Sequence, residues 1–432
     1  MLKRHSAKLR IIHHLKNHAF TSSVLISIKG VIMSHLISEN IHVIENDLEA
    51  IHAAYHVADF ALEGRNERDQ NRLLPFAEID LFSQKGLGGI RIPKKFGGAY
   101  VSNKTLAQVF RIINKADSSV GQIPQNQIAL LYMIDLMGTD EQKAFIFNEI
   151  LQGKRLANGG PERNTKDTKT LNTTLRIENG TYVVDGEKFY STGSSFADWL
   201  AIKAVHPEGH VVLTIIDRHA TGVEVIDNWN GFGQRTTSSG TVKLNHVAVD
   251  PLLIFDERKL SAGPTYRGAF SQLMQVAIDV GIAEAAFADT LSAVQKARPI
   301  VDAQVEKASF EPYTLQEVGK SAVLLDAAIL LLDEAADYLD ELDQLVQVNE
   351  QQAALASIRI AEAKIYANDA ALQISEKLLE LGGSRASLSA HNLDQHWRNA
   401  RVHTLHDPVR WKLHTLGDYY LNHKLPARHA WI

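Results

Sequence analysis

The chain of 432 residues contains no cysteine. That absence excludes disulfide staples, thiolate nucleophiles, iron–sulfur ligation and thiolate zinc sites together, and it fits a reducing compartment. A dominant charge is also missing. Lys plus Arg number 45 and Asp plus Glu 50, a net charge of -5, so no field points globally at nucleic acid or an anionic membrane. Phosphate-binding loops are missing as well. No G-x-x-x-x-G-K-[ST] motif occurs, and Gly86-Leu-Gly-Gly-Ile-Arg has neither the spacing nor the βαβ context of a dinucleotide loop. Ala19 to Met33 is interrupted by Ser, Thr and Lys29 and is too polar for a membrane span; no other run is long and apolar enough. A soluble, cytoplasmic protein is expected.

What remains is ordinary globular material, 45% hydrophobic and 22% charged, long enough for two to three domains or layers. The first 32 residues stand apart. Lys3, Arg4, Lys8, Arg10, Lys16 and Lys29 are basic and no acid precedes Glu39, yet the apolar part lacks a clean signal-peptide core and cleavage site. Met33 reads as an alternative start, and residues 1–39 as a disordered extension.

Residues 40–153 read as helical. Ile41, Ile44, Leu48, Ile51 and Ala54 recur at helical spacing, as do Leu106, Val109, Phe110 and Ile113. Gly138 and Gly153 bracket another helix holding Phe145, Ile146 and Ile150. Over 154–256 the period shortens to that of strands such as Thr181-Tyr-Val-Val and Val211-Val-Leu-Thr-Ile-Ile, with Asn179-Gly180 and Asp185-Gly186 as turns. Consecutive strands without helices between them imply an antiparallel sheet or barrel. From 257 to 432 the helical period returns in long segments, Phe270 to Gln295, Leu315 to Leu345 and Gln351 to Leu381, the last closed by Gly382-Gly383. These are long enough for a four-helix bundle. The expected class is α+β: helical domain, central antiparallel β-barrel, C-terminal bundle.

The densest chemistry is Trp397-Arg-Asn-Ala-Arg-Val-His403-Thr-Leu-His406-Asp407-Pro408. An imidazole titrates near neutral pH and moves protons, and Pro408 forces a helix break beside it. Read alone, His406 is as well explained as a histidine satisfied between helices. Asp407 is either a partner of that chemistry or a cap for the next helix. His403, His406 and Asp407, with His391 and His396 upstream, have the donor types of an iron or zinc site. The segment is not a His-Glu-x-x-His helix, however, and Pro408 disrupts the ligand spacing, so no metal is expected there.

The three-part order, Leu381-Gly-Gly followed by Arg398 and Arg401, and Gly186-Glu-Lys-Phe-Tyr-Ser-Thr-Gly with Ala197-Asp198 together resemble the acyl-CoA dehydrogenase superfamily over roughly residues 40–425. Asn399-Ala-Arg-Val-His-Thr-Leu-His-Asp-Pro, Ala297-Arg298-Pro299 and Trp229-x-x-x-Gly-x-Arg-x-Thr-x-Ser-Gly resemble one branch of it, the dibenzothiophene monooxygenase and sulfur-acquisition oxidoreductases. That resemblance implies an acyl-CoA dehydrogenase-like fold and a homotetramer. It implies reduced FMN supplied by a separate flavin reductase, and oxygen transfer to a small organosulfur compound such as a sulfone or sulfide. His406 would manage the proton in the reaction with oxygen. Asn158, Thr192, Trp229 and Ser239 match flavin-binding positions, with Ser191 and Ser194 flanking Thr192 as alternative hydroxyls. Arg298 and Arg385 are candidates for the flavin phosphate or pyrimidine edge.

Two departures refine the expectation. Where many acyl-CoA dehydrogenases carry Tyr-Glu-Gly-Thr, this chain has Leu405-His406-Asp407-Pro408. Asp is one methylene shorter than Glu, which argues against the proton abstraction that begins dehydrogenation. Where dibenzothiophene monooxygenase has an active-site His and Tyr, this chain reads Val120-Gly-Gln122-Ile-Pro-Gln125-Asn126, so a substrate other than dibenzothiophene is expected. The rival readings are an FAD-dependent acyl-CoA dehydrogenase with Asp407 as base, and a flavin-binding protein without turnover.

Overall fold

Helix α1 (Asp47–Leu62) begins where the Asn46 side chain accepts from the Glu49 amide and Asp47 and Glu49 favour the positive helix end. A computed structural model describes residues 41–432 except Thr168 and Ala430, so the extension expected over residues 1–39 lies outside the described residues. The buried stripe of α1 is Ala50, Ala53, Ala54, Val57, Ala58 and Ala61. It is rotated from the expected face: Leu48 is 64% exposed, because the small alanines, not the larger aliphatics, allow close approach to a neighbouring helix.

Short helices α2 (Arg65–Asn71) and α3 (Phe76–Gln84) lead through a glycine-rich connection to α4 (Asn103–Ala116). Helix α4 is capped by Ser102 and buries Leu106, Val109, Phe110 and Ile113 as its spacing predicts. Then come α5 (Ser118–Gln122), α6 (Gln125–Met137) and α7 (Asp140–Leu151). The last opens with a reciprocal Thr139–Gln142 capping box.

The strands are β1 (Leu156–Gly159), β2 (Thr174–Glu178), β3 (Thr181–Lys188), β4 (Trp199–Val205), β5 (Val211–Asp217), β6 (Val223–Ile226), β7 (Thr241–Val249) and β8 (Ile254–Asp256). They lie in the order β6-β7-β3-β2-β4-β5-β8, with β1 also paired to β4. This corrects the expected antiparallel barrel. The sheet is open, and β1 and β2 both run parallel to β4. Closure fails for local reasons. Strand β2 meets β4 at the single pair Thr174–Val205, and the three-residue edge strand β8 is held by a helix. The Gln142 side-chain amide of α7 donates to Leu252 O at 2.8 Å and Ile254 O at 3.0 Å, covering an edge carbonyl that another strand would need.

The C-terminal region holds three long helices, α8 (Arg267–Lys296), α9 (Pro312–Asp343) and α10 (Glu350–Gly382), with Pro312 at a first helical turn and an Asn349–Gln352 capping box. Two shorter helices, α11 (Gln395–Thr404) and α12 (Arg410–Asn422), complete it. One apolar core joins this bundle to the N-terminal helices, since Phe110 and Ile113 share a cluster with Phe270, Leu332 and Ile374. A second joins α6 and α7 to the sheet through Leu131, Phe147, Leu213 and Phe255. Among the described residues no helix is long and apolar enough to cross a membrane.

Candidate active site

Helix α11 has an unusual buried face. His396, Asn399, Ala400 and His403 follow the one-sided helical spacing normally taken by aliphatics, and each polar member must therefore find a partner inside. His396 Nε2 lies 2.7 Å from Asp289 Oδ2. Asn399 Oδ1 accepts from the Gln234 amide at 2.7 Å. His403 Nδ1 lies 2.5 Å from Asp279 Oδ1, and Lys364 Nζ donates to Asp279 Oδ2 at 2.6 Å. The side chains of His403, Asp279 and Lys364 are all within 2% of full burial. Burial alone would raise the Asp279 carboxyl, but the Lys364 and His403 charges outweigh it and hold it below the usual range. With Nδ1 given to a carboxylate, His403 keeps Nε2 buried without a partner.

Helix α11 ends at Thr404 because Pro408 cannot continue it. His406 follows, its amide bonded to His403 O at 3.1 Å. The residue keeps exposed surface, but protein packs around its ring. That desolvation, then repulsion from His403 and Lys364, pushes its pKa down to about 4. His406 is therefore a neutral imidazole near pH 7, with one nitrogen to donate and one to accept.

Asp407 does not share that opening. Asp407 is buried, and its carboxylate is bound to Lys412 Nζ at 2.5 Å, which also donates to Trp431 O at 2.7 Å. Neither role considered for Asp407 matches this placement. A carboxylate neutralised by a buried ammonium is a poor base, and α12 starts at Arg410 with Val409 before it and no side-chain cap. The histidines do not converge on a metal either: His391 meets Arg385 at 3.3 Å while His396 and His403 take separate aspartates.

The sheet supplies the other wall. Thr192 Oγ1 and Ser239 Oγ are 2.8 Å apart, and Ser239 Oγ lies 2.7 Å from Thr237 Oγ1. Thr237 Oγ1 and Trp229 Nε1 both donate to Gln234 O, at 3.0 and 2.8 Å. Three of the four predicted β-segment residues thus form one hydroxyl and indole ladder. It reaches α11 through the Gln234–Asn399 bond and through Arg398, which donates to Phe232 O at 3.1 Å. Gln234 holds φ 50, a left-handed conformation that is strained for a side-chain-bearing residue. Asn158, on β1, faces its own turn, accepting from the Gly160 amide at 3.1 Å. Arg298 and Arg385 lie elsewhere, exposed just past the C-terminal ends of α8 and α10. About 25 Å of helix rise separates Asp279 from Lys296 at the end of α8.

The donor types fit a flavin ring edge. Ser191 Oγ and both polar atoms of the Gln234 side chain are buried without partners beside the ladder. A small apolar recess of about 20 Å³ lined by Ile123, Pro124, Ala157 and Gly193 adjoins Asn158 and Thr192 along the chain. A larger cavity of about 430 Å³, walled by Arg267, Glu350, Arg428 and His429, contains none of these residues. Sequence reading missed Asp279, Lys364, Gln234 and Asn399 as site residues. The available signal was a single charge inside an otherwise buried helical run, as in Val276-Ala-Ile-Asp279-Val-Gly-Ile.

Sequence profiles of the acyl-CoA dehydrogenase N-terminal, middle and C-terminal domains match residues 52–154, 161–247 and 273–411 in that order. The chain belongs to the acyl-CoA dehydrogenase family. Within it, the chain is 30% identical over 375 residues to dibenzothiophene monooxygenase of Mycolicibacterium goodii, covering 83% of this chain and 90% of that protein. It is 30% identical over 371 residues to the probable FMNH2-dependent monooxygenase SfnC of Pseudomonas putida, covering 84% and 92%. FMN-bound TdsC from Paenibacillus sp. A11-2 superposes with a TM-score of 0.84 at 29% identity, covering 89% of this chain and all of that one. The branch resemblance drawn from the segments at Trp229, Arg298 and Asn399 is borne out.

Proposed function

We propose that this protein is the oxygenase of a two-component flavin-dependent system, using reduced FMN and oxygen to oxidise a small organosulfur compound. The relatives that span nearly the whole chain and act as monooxygenases support the activity. One observation carries the placement: the hydroxyl and indole ladder of Thr192, Ser239 and Trp229 is tied through Gln234 and Asn399 to the helix that ends at His406. FMN would supply the oxygen-activating chemistry when bound. Thr192 and Ser239 would donate to its ring edge, with Asn158 and Trp229 beside it. His406, neutral at physiological pH, would hold a proton at one ring nitrogen and present it into the cleft. His403, locked by Asp279, would keep its unpaired Nε2 turned to the site as a hydrogen-bonding group. Asp407 would hold the loop through Lys412 rather than act as a base.

Arg298 and Arg385 are exposed, and among the described residues neither bonds to the ladder. In the proposed homotetramer they would serve the flavin of a second copy, binding phosphate through paired donors. A cytoplasmic location, a partner flavin reductase, and functional domains at 40–153, 154–256 and 257–432 complete the reading. The test is isotopic. Protein with FMN, NADH and a general flavin reductase is given ¹⁸O₂ and a panel of sulfides, sulfinates and sulfones. One labelled oxygen in a product, dependent on the protein, is expected. Oxidation of FMN with no labelled product from any panel member would remove the assignment.

A further inference from the structure

The turn between β4 and β5 reads His206-Pro207-Glu208-Gly209-His210. It is a tight hairpin: the His206 amide donates to His210 O at 2.8 Å, the Gly209 amide donates to His206 O at 2.8 Å, and Gly209 takes φ 86. Glycine suits that left-handed position. The geometry brings the two imidazoles nearly face to face, with ring centroids 4.5 Å apart at 31°. Both rings are mostly buried, with side-chain exposures of 16% and 14%, and Tyr182 lies against His206.

Two rings held this close normally share a hydrogen bond or a ligand. Here His210 Nδ1 is buried and has no hydrogen-bond partner. Glu208 Oε2 stands 3.7 Å from His210 Nδ1 and 4.0 Å from His206 Nδ1, too far for hydrogen bonds. Those separations instead approach the spacing of two ligands on one ion, because bonds of about 2.0–2.2 Å to zinc put neighbouring tetrahedral ligands roughly 3.3–3.5 Å apart. One ligand atom from each of His206, Glu208 and His210 lies within 4.8 Å of the others. Among the described residues, the competitor for His206 Nδ1 is a 3.2 Å bond from the Glu208 amide. Nearby Asp256 is occupied by Arg258 at 2.7 Å, so it neither completes the set nor leaves Arg258 free to repel a cation.

We propose that this hairpin is a binding site for a divalent transition-metal ion of the zinc class, held by His206, Glu208 and His210 with water in the remaining position. The set is two imidazoles and a carboxylate, a donor combination that selects zinc, nickel or copper over magnesium or calcium. The two rings are preplaced, and the exposed Glu208 side chain swings in to close the site. The ion would staple the end of the hairpin. It stands apart from the flavin chemistry, about 16 Å of strand away from Ala201, the β4 partner of Asn158.

The experiment titrates chelator-treated full-length protein with Zn²⁺ by calorimetry and with Co²⁺ by visible absorption. Parallel titrations use His206→Ala, His210→Ala, Glu208→Gln and His423→Ala, the last an exposed histidine elsewhere. One equivalent of Zn²⁺ is expected on the wild type, weakened at least about 100-fold in either hairpin histidine variant, about 10-fold in Glu208→Gln, and unchanged in His423→Ala. Co²⁺ should give the intense bands of a four-coordinate nitrogen and oxygen site in the wild type and His423→Ala, and lose them in His206→Ala and His210→Ala. Wild-type affinity in both His206→Ala and His210→Ala, or no saturable equivalent in the wild type, overturns the proposal. Circular dichroism of each variant shows that a lost equivalent is not a lost fold.

Discussion

His403 Nδ1 and Asp279 Oδ1 lie 2.5 Å apart with both side chains fully buried, and Lys364 holds the other carboxylate oxygen at 2.6 Å. A helix that buries histidine where leucine would serve gives up apolar packing, and burying three ionisable groups carries a desolvation cost that only their mutual contacts offset. What the arrangement supplies is orientation. The carboxylate fixes which imidazole nitrogen carries the proton, and the exposed His406 hangs from the carbonyl of the same residue.

Asp279→Asn should therefore act in two ways. It leaves Lys364 and His403 buried without their anion, at a cost of about 3–5 kcal/mol in unfolding free energy, read by urea denaturation. It also releases the His403 ring, so turnover by the folded protein should fall about 100-fold or more while FMN affinity, read by fluorescence quenching, stays within a few-fold. Asp279→Asn protein with wild-type turnover would show the triad to be packing alone.

His406→Ala should bind FMN as the wild type does and lose oxygen transfer to substrate by about 10²–10⁴-fold. NADH would still be consumed by the reductase, so the two readings separate in one assay. Product yield equal to wild type would remove His406 from the chemistry.

The helices and strands were legible because their periods are local properties. Leu106, Val109, Phe110 and Ile113 announce α4, and Asn179-Gly180 announces the turn into β3. Barrel closure was not legible, because it depends on whether an edge such as β8 finds a strand or a Gln142 side chain. The site divided in the same way. The proximity of Thr192, Trp229 and Ser239 followed from motif positions. The fate of Asp407 depended on Lys412, five residues on, and on the Trp431 carbonyl near the chain's end. Asp279 and Lys364 meet across 85 residues of sequence, a pairing that no local pattern encodes.

Acid should weaken the protein in a defined window. His406 has its folded pKa at about 4, below the roughly 6.5 of an unfolded histidine, so the unfolded chain takes up the proton first. Its contribution is whole above pH 6.5 and is lost progressively as pH falls toward 4. Burial depresses His396 and His429 in the same direction. The melting temperature should thus fall steadily from pH 7 to pH 4.5. His406→Gln should flatten part of that slope, a modest part because solvent screens an exposed ring. Turnover, by contrast, should show no ionisation of His406 between pH 6 and 8. A rate that halves near pH 6.5 and returns to full value in His406→Gln would contradict the neutral imidazole.

Thr192→Val removes a hydroxyl while keeping the shape, and leaves Ser239 Oγ with only Thr237 as a neighbour in the ladder. Loss of one such bond is worth about 1 kcal/mol, so FMN affinity should drop roughly five- to tenfold by fluorescence titration. Thr192→Ser should restore it. If valine and threonine bind FMN equally, Ser191 or Ser194 is the hydroxyl that faces the ring.

Asp407 gives the sharpest division between the monooxygenase and dehydrogenase readings. As a base it would tolerate no loss of charge: Asp407→Asn would keep the fold and reduce turnover by about 10²-fold or more. As the buried partner of Lys412 it predicts the reverse. Asp407→Ala strands an ammonium that is 1% exposed, and stability should fall by about 3–5 kcal/mol. The surviving folded protein should keep turnover within a few-fold. Replacing both members, Asp407→Leu with Lys412→Met, removes the stranded charge together with the pair and should recover most of the lost stability, since an apolar pair of similar volume is often as good as a buried ion pair. Recovery of stability with turnover intact assigns Asp407 to the loop's anchorage; recovery of stability with turnover abolished would return it to the chemistry.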